Sequence, residues 1–439
     1  MISTKKPRIA WFSPLPNAGK ESRTISEYCS ELLLPILKSD LEIECFHNRF
    51  DSYKDFPTFH FLTAAKRHQQ NPFDAFFYQM EDESALNFIR IHLGIKPGIV
   101  WFHDFIYSTD GPEPILNSPW EETIKKFNDR NRPWAKRGEE YFKDSPIAYR
   151  EGGCALIPAF SSPRSFGDYS THIKTSLRSN FALAKDNGPW LVNIPVEIPQ
   201  KLIEKPISNR IAFCGFPGIE KRYHKLLTAL SNLNGQVVLD WLVLDSEKSR
   251  AEEAVRSFGV KNANIIVARS ANEWRKLVKN SFAAYHCHFS AFGGMREYLP
   301  ISMSEGVPVI TSSYGDGEHL PSDLVFKIDP GSFESRQLEI LIQKILADEV
   351  IIDREALRKY ALEHYSIAAV SANILSMINQ AYPLLNEFNL KWTEYESQAQ
   401  NELAREAFEI LSNQDTDKLS ELKKDFIKSS FNELRWKTF

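Results

Sequence analysis

The sequence predicts an α/β protein: two Rossmann-like, doubly wound domains facing across a cleft, with a helical C-terminal extension. Three observations carry this. From Arg8 onward, short apolar runs alternate with segments of helical spacing, the pattern of a parallel sheet covered on both faces. That pattern pauses at Pro195 to Gln200, a Pro-bearing linker, and restarts at Arg210. The chain has 439 residues, too many for one ordinary core. The expected units are 1–200, with an insertion at about 108–178; 201–370; and 371–439, whose first helix crosses back to the N-terminal domain.

In chain order, Arg8 to Ser13 reads as a strand and Pro14 to Ser22 as a Pro/Gly loop. Ile25 to Leu37 reads as a helix with an apolar stripe of Ile25, Tyr28, Leu32, Leu33 and Ile36. Leu41 to Phe46, Asp74 to Gln79 and Gly98 to His103 are further strands, and Ser84 to Leu93 is helical. Residues 108–178 mix Pro, Gly, Ser and charge with short helical pieces (Trp120 to Phe127, Trp134 to Phe142), which suits a decoration over the first domain. Phe181 to Ile194 returns to the sheet. In the second half, Arg210 to Gly215, Val237 to Leu244, Ile265 to Ala268, Ala283 to Cys287 and Leu324 to Ile328 are strands. Helices fall at Tyr223 to Leu233, Ala251 to Phe258, Trp274 to Val278, 336–347 and 354–382.

The stretch from Phe289 to Thr311 is the most suggestive of a ligand. Gly293 and Gly294 let the backbone approach something closely. Pro300 suits the first turn of a helix, where its missing N–H costs nothing. Gly306 ends that helix, and Val307 to Ile310 form the next buried strand. A glycine-bearing loop running into a helix start, beside the carboxyl end of a parallel strand, favours an anion such as phosphate.

Composition narrows the function. The hydrophobic and charged fractions, 43% and 25%, are ordinary for a soluble globular chain. A net charge of −4 argues against a general nucleic-acid binder. The aromatic share of 12% suits a large core. Five cysteines (Cys29, Cys45, Cys154, Cys214, Cys287) lie scattered without a C-x-x-C pair, as expected of free thiols in a reducing compartment. No apolar run suits a signal peptide or a spanning helix, so a cytoplasmic location is expected. No G-x-G-x-x-G or Walker lysine loop follows either first strand, which weakens dinucleotide and kinase readings.

Single residues stand out against this background. Lys221, after the Gly215 turn, could neutralise a diphosphate, or be a solvated turn lysine. His103 ends a strand at the cleft edge, where imidazole could donate to a sugar hydroxyl or act as a base, or serve structure alone. Arg296 could contact phosphate oxygens and Glu297 sugar hydroxyls; as a charged pair at a helix start they could also form a solvated cap. His286 and His288 invite a metal reading, but no second ligand cluster accompanies them.

Taken together these residues resemble the GT-B glycosyltransferases, in particular their retaining "glycosyl transferases group 1" (family-4-like) branch, over most of 8–385. Ser13-Pro-Leu-Pro16 with Ile25 to Tyr28, and Pro97 to Asp104, are similar to that branch's first domain. Lys221 with Leu226, Leu227 and Ala229, and Gly306 to Ser312 with Gly315, are similar to its second. The resemblance implies metal-independent transfer of a sugar, with retention, from a UDP- or GDP-linked donor held by the second domain. It implies no bound cofactor. The implied acceptor is a glycan, a lipid-linked molecule or a small molecule. Lys221, Gly215, the 293–295 backbone (Gly293, Gly294, Met295) and Arg296 would hold the donor; His103 and Glu297 would stand at the transferred sugar. Two alternatives stay open: a catalytically silent nucleotide- or sugar-binding protein, and a sugar-nucleotide epimerase of the same fold.

The sequence departs from that branch's pattern at defined points. Glu297 and Glu305 keep its spacing of two Glu, which places Glu305 among the donor-binding candidates, although it lies deeper along the helix, where a structural role is expected. Counted back from Gly306, however, the branch's Glu positions fall on Gly293 and Ile301, one helical turn away, about 6 Å. Its first-loop glycine becomes Thr24, leaving Gly19 as a displaced substitute, with Asn17 a further candidate in the same N-terminal loop. In the tail, 418–439 combines basic and aromatic residues, which suits packing on the first domain or peripheral contact with the inner face of a membrane.

Overall fold

The computed structural model describes residues 6–16, 24–49, 51–81, 98–103, 153–157, 190–202, 209–218, 221–268, 270–288, 297–313 and 320–379, with isolated positions 86, 88, 89, 92 and 317. Asn17, Gly19, Gly293, Gly294, Met295, Arg296, the helical pieces read in 120–142 and the 418–439 tail lie outside these residues.

The described strands form two sheets, each continuing a doubly wound pattern. The first comprises β1 (Arg8–Phe12), β2 (Glu42–His47), β3 (Thr58–His60), β4 (Ala75–Met80), β5 (Gly98–Phe102), β6 (Gly153–Ile157) and β7 (Trp190–Leu191). Their order is β3-β2-β1-β4-β5-β6-β7. The second comprises β8 (Arg210–Cys214), β9 (Val238–Val243), β10 (Ala263–Val267), β11 (Ala283–His286), β12 (Val309–Ser312) and β13 (Phe326–Ile328), ordered β10-β9-β8-β11-β12-β13. Every pairing is parallel except β5 with β6 and β6 with β7, which are antiparallel.

In each sheet the strand order reverses beside the first strand, between β1 and β4 and between β8 and β11. Those switch points open crevices at the carboxyl ends of the strands. The central strands are buried on both faces. Ile9 and Trp11 of β1 enter one core cluster while Ala10 and Phe12 enter the other. Ile211 and Phe213 of β8 likewise separate from Ala212. Two-sided burial explains why these strands read as continuous apolar runs rather than as an alternation.

Two helices border the crevices. Helix α1 (Ile25–Leu37) is capped by Thr24, whose side chain accepts from Glu27 N. It buries Ile25, Cys29, Leu33, Leu34 and Leu37. The stripe is therefore turned from the expected one, and Ile36 is exposed. The short helix α2 (Tyr298–Ser304) in the second domain carries Pro300 in its first turn. Its end is a Schellman arrangement. Gly306, with φ of 64°, donates to Met303 O at 2.9 Å, and Val307 donates to Ser302 O at 3.0 Å.

Three expectations need correction. Gly153–Ile157, placed in a decorating insertion, is an antiparallel member of the first sheet. Thr58–His60 adds an unforeseen strand beside β2. The helix expected over 354–382 breaks at Ser366, whose extended backbone forms a parallel bridge with Val196. Beyond that break, Val370, Ile374, Met377 and Ile378 pack into the first sheet's core.

Candidate functional site

On the first sheet, the carboxyl end of β4 holds two buried polar residues, Gln79 and Glu81. Glu81 Oε1 accepts from Ile25 N at 3.2 Å, and its Oε2 accepts from Ser26 N at 3.2 Å and Ser26 Oγ at 3.1 Å. The start of α1 thus already carries a carboxylate on its unpaired amides, where the helix dipole favours negative charge. Neither Gln79 nor Glu81 was singled out from sequence. The available signal was two polar residues closing the apolar run Ala75 to Tyr78.

Gln79 ties three elements together. Its Nε2 lies 2.6 Å from Ser30 Oγ and 3.1 Å from Ser13 Oγ. Ser30 Oγ also accepts from Trp11 Nε1 at 3.2 Å and donates to Ser13 Oγ at 2.9 Å. With its amide nitrogen engaged there, Gln79 turns Oε1 to His103 Nε2 at 2.8 Å. The ring therefore donates from Nε2, and in its neutral form keeps its lone pair on Nδ1. His103 is buried against Trp101, with ring centroids 4.6 Å apart. It follows β5 directly, as expected from its position at the strand end.

On the second sheet, Gly215 directly follows β8 with φ of 124°, a backbone state that disfavours side chains. A Cβ built there would lie 3.5 Å from Lys221 Cε and 3.7 Å from its Cδ. The Lys221 stem therefore crosses the glycine at the mouth of the β8/β11 switch point. Arg222, next in sequence, has φ of 51° and pairs with the buried carboxylate of Glu334. Its backbone oxygen accepts from Tyr285 Oη at 3.1 Å. These contacts fix the turn that aims Lys221.

His286 closes β11 beside this turn. Its Nε2 lies 3.1 Å from Ser302 Oγ, which donates to Tyr298 O at 2.8 Å and accepts from Trp274 Nε1 at 3.2 Å. Burial, with the Lys221 charge second, pushes the His286 pKa down to about 3, so the ring stays neutral. Among the described residues no group of three His, Cys, Asp or Glu is arranged to hold a metal ion.

Glu297 stands immediately before α2, its carbonyl accepting from Ile301 N at 3.0 Å. Its carboxylate is felt by Tyr28 of α1, whose phenol is pushed up mainly by burial and then by Glu297. Glu305 is a different case. It lies at the far end of α2, buried, paired with Arg275 and, at 3.6 Å, with Lys279. That ion pair sits at the end of α2 remote from the helix start. Ile301, which takes one of the Glu positions, is wholly buried in the second domain's core.

The geometry thus brings Gly215, Lys221 and His286 to one strand-end mouth and sets Glu297 at the start of α2. His103 and its Gln79 anchor occupy the corresponding end of the first sheet. No protein-family model matches the sequence, and no curated protein matches it significantly. Solved structures do match. The lipopolysaccharide outer core galactosyltransferase WaaB, in its apo form, superposes with a TM-score of 0.53 at 12% identity, covering 85% of this chain and 99% of that one. Anabaena HepE in complex with UDP-glucose gives 0.54 at 11% identity, with 85% and 99% covered. The sucrose-phosphate synthase of Thermosynechococcus elongatus gives 0.50 at 12% identity, with 86% and 100% covered.

The chain has the GT-B fold. In GT-B terms, the two sheets are its two Rossmann-like halves, and the returning helix beyond Ser366 ties the second half to the first. Among the described residues no helix is long and apolar enough to cross a membrane.

Proposed function

We propose that this chain is a glycosyltransferase that moves a sugar, with retention and without a metal, from a UDP- or GDP-linked donor to a glycan, lipid-linked or small-molecule acceptor. The observation that carries the reading is Lys221 crossing Gly215 at the second switch point, in a fold shared with a HepE structure that holds UDP-glucose. An ammonium there would meet the charge that develops on a departing diphosphate. The 293–295 backbone and Arg296, read from the sequence as donor ligands, would add to this binding. Glu297 would orient the sugar or ribose. His103, held by Gln79, would face the sugar from the first domain, and closure of the cleft would favour transfer over hydrolysis.

Calorimetry against UDP-, GDP- and ADP-sugars tests this. One of them should bind the wild type and lose at least about tenfold in affinity in Lys221→Ala without a change in unfolding temperature. No binding and no turnover with any of them would sink the proposal. A catalytically silent binding protein is the second reading, favoured by Ile301 in the core and Glu305 in an ion pair. It predicts donor binding with neither transfer nor hydrolysis.

A further inference from the structure

The chain passes between the two cores twice, and the passages lie side by side. Val192 and Ile194 belong to the first sheet's core. Val196, two residues on, is wholly buried in the cluster that holds Leu299, Ile301 and Met303 of α2. On the return, Tyr365 belongs to that same cluster and Val370 to the first sheet's core. Core membership therefore changes at Pro195 and just after Tyr365. The two points are joined: Val196 N donates to Tyr365 O at 2.7 Å, and Val196 forms the parallel bridge with Ser366. Two adjacent crossings of a few residues each are where two packed bodies turn against one another with least disruption.

The residues after Pro195 are fastened to the far end of α2. Arg275, on the helix Ala271–Val278, pairs through Nη1 with the buried Glu305 carboxylate. Its Nη2 donates to Glu197 O at 2.9 Å. The helix Arg354–Tyr365 repeats the arrangement with two side chains one turn apart. Arg354 Nε donates to Gly306 O at 2.8 Å, while Arg358 Nη2 donates to Gln200 O at 3.1 Å and to Pro199 O. A planar guanidinium suits this task, because its fixed fork serves a carboxylate and a carbonyl at once, which a lysine ammonium does not.

We propose that Arg275 and Arg358 are positioning residues that weld the linker to α2. The domains then turn about Pro195 and Ser366, and the start of α2, with Glu297, moves as one body with residues 197–200. At about 1.5 Å per residue, the clamp stands about 10 Å from that start. A ligand settling at the start of α2 thus biases the angle between the domains through a rigid element rather than a flexible one. The inference rests on the reading in which a nucleotide-linked donor closes the cleft, but the weld itself can be tested without a ligand.

The test measures the distance between the domains in the full chain. Ser39 and Ser249, both exposed, are replaced by p-acetylphenylalanine, and a nitroxide is attached to each for pulsed electron resonance. Arg275→Lys and Arg358→Lys keep the charges and give up the fork. Without ligand, the double variant should show a broader distance distribution than the wild type, since the linker can then flex along 197–200 as well as at Pro195. UDP or GDP should shift and narrow the wild-type distribution. In the double variant that shift should fall below about half, with nucleotide affinity by calorimetry within about twofold of wild type. A loss of stability alone would leave the ligand-free width of the folded protein unchanged.

A double variant with the wild-type width and the wild-type shift overturns the weld. So does a wild type that binds a nucleotide without any shift. A wild type that binds neither nucleotide overturns the transferase reading instead, and the ligand-free width alone then decides about Arg275 and Arg358. If the double variant fails to fold, Arg275→Lys decides by the same width.

Discussion

The carboxylate of Glu81 sits on the amino end of α1, accepting from Ile25 N and Ser26 N at 3.2 Å each. Fifty-six residues separate Glu81 from Ile25, so this cap is tertiary rather than local. It fills the position at which a helix would otherwise recruit an anion from solution. Among the described residues, Lys221 brings its stem to the strand-end mouth of the second domain. Glu81→Gln keeps the shape and removes the charge. We expect a loss of about 2 kcal/mol in urea unfolding, since hydrogen bonds to a charged group are the stronger kind. An unchanged midpoint would mean that the amides are satisfied as well by a neutral oxygen.

The pair Glu305–Arg275 gives a second prediction. Glu305 is buried and its partner nearly so, and removing one member of such a pair strands the other. Glu305→Ala should destabilise the protein by about 3 kcal/mol or more. In the milder Glu305→Gln, affinity for UDP should stay within about twofold of wild type, because the carboxylate lies at the remote end of α2. A Gln variant with intact stability and tenfold weaker UDP binding would restore Glu305 to the donor site.

Much of this was legible in the sequence, and the reasons are physical. β1 and β8 are central strands buried on both faces, which leaves apolar runs that need no long-range information. Gly306 and Pro300 act locally, through a positive φ and a missing N–H, so they mark the ends of α2 directly. β6 was hidden because its pairing with β5 is antiparallel and joins segments some fifty residues apart. The α1 stripe was turned because helical spacing fixes a period, not which face the sheet covers. Spacing likewise says little of partners: that Glu305 pairs with Arg275, thirty residues away, follows only from the packing of their two helices. Gln79, Glu81 and Ser302 act entirely through partners remote in sequence or one helical turn away, and no motif announces them.

His286 sets a pH dependence whose sign can be worked out. Its folded pKa is about 3, against an ordinary value of 6.5 in the unfolded chain. Below the unfolded value the unfolded state binds a proton that the folded state refuses. Stability should therefore fall as pH drops from about 6.5 toward 3, by up to about 1.4 kcal/mol per unit from this group. Burial shifts His47 and His224 in the same direction, so the raw profile sums several groups. The difference between wild type and His286→Asn isolates the His286 contribution. That difference should shrink steadily as pH falls from 6.5 to 4.5 in chemical denaturation. Parallel profiles would show that the ring is charged in the fold.

His103 and Gln79 yield the last prediction. Gln79 Oε1 lies 2.8 Å from His103 Nε2, so the amide decides where the ring carries its proton. If His103 faces the reacting sugar while the donor is held by the second domain, His103→Ala should lower kcat by about tenfold or more and leave UDP affinity within about twofold. Gln79→Glu puts a carboxylate against the same nitrogen. It favours the imidazolium, so the ring's pKa should rise and any pH-dependent limb of kcat carried by His103 should move to higher pH. Gln79→Ala should lower kcat without moving that limb upward, because it frees the ring without charging it. A His103→Ala protein with wild-type kcat, or a Gln79→Glu profile that coincides with wild type, would reduce this buried network to a purely structural tie between β1, α1, β4 and β5.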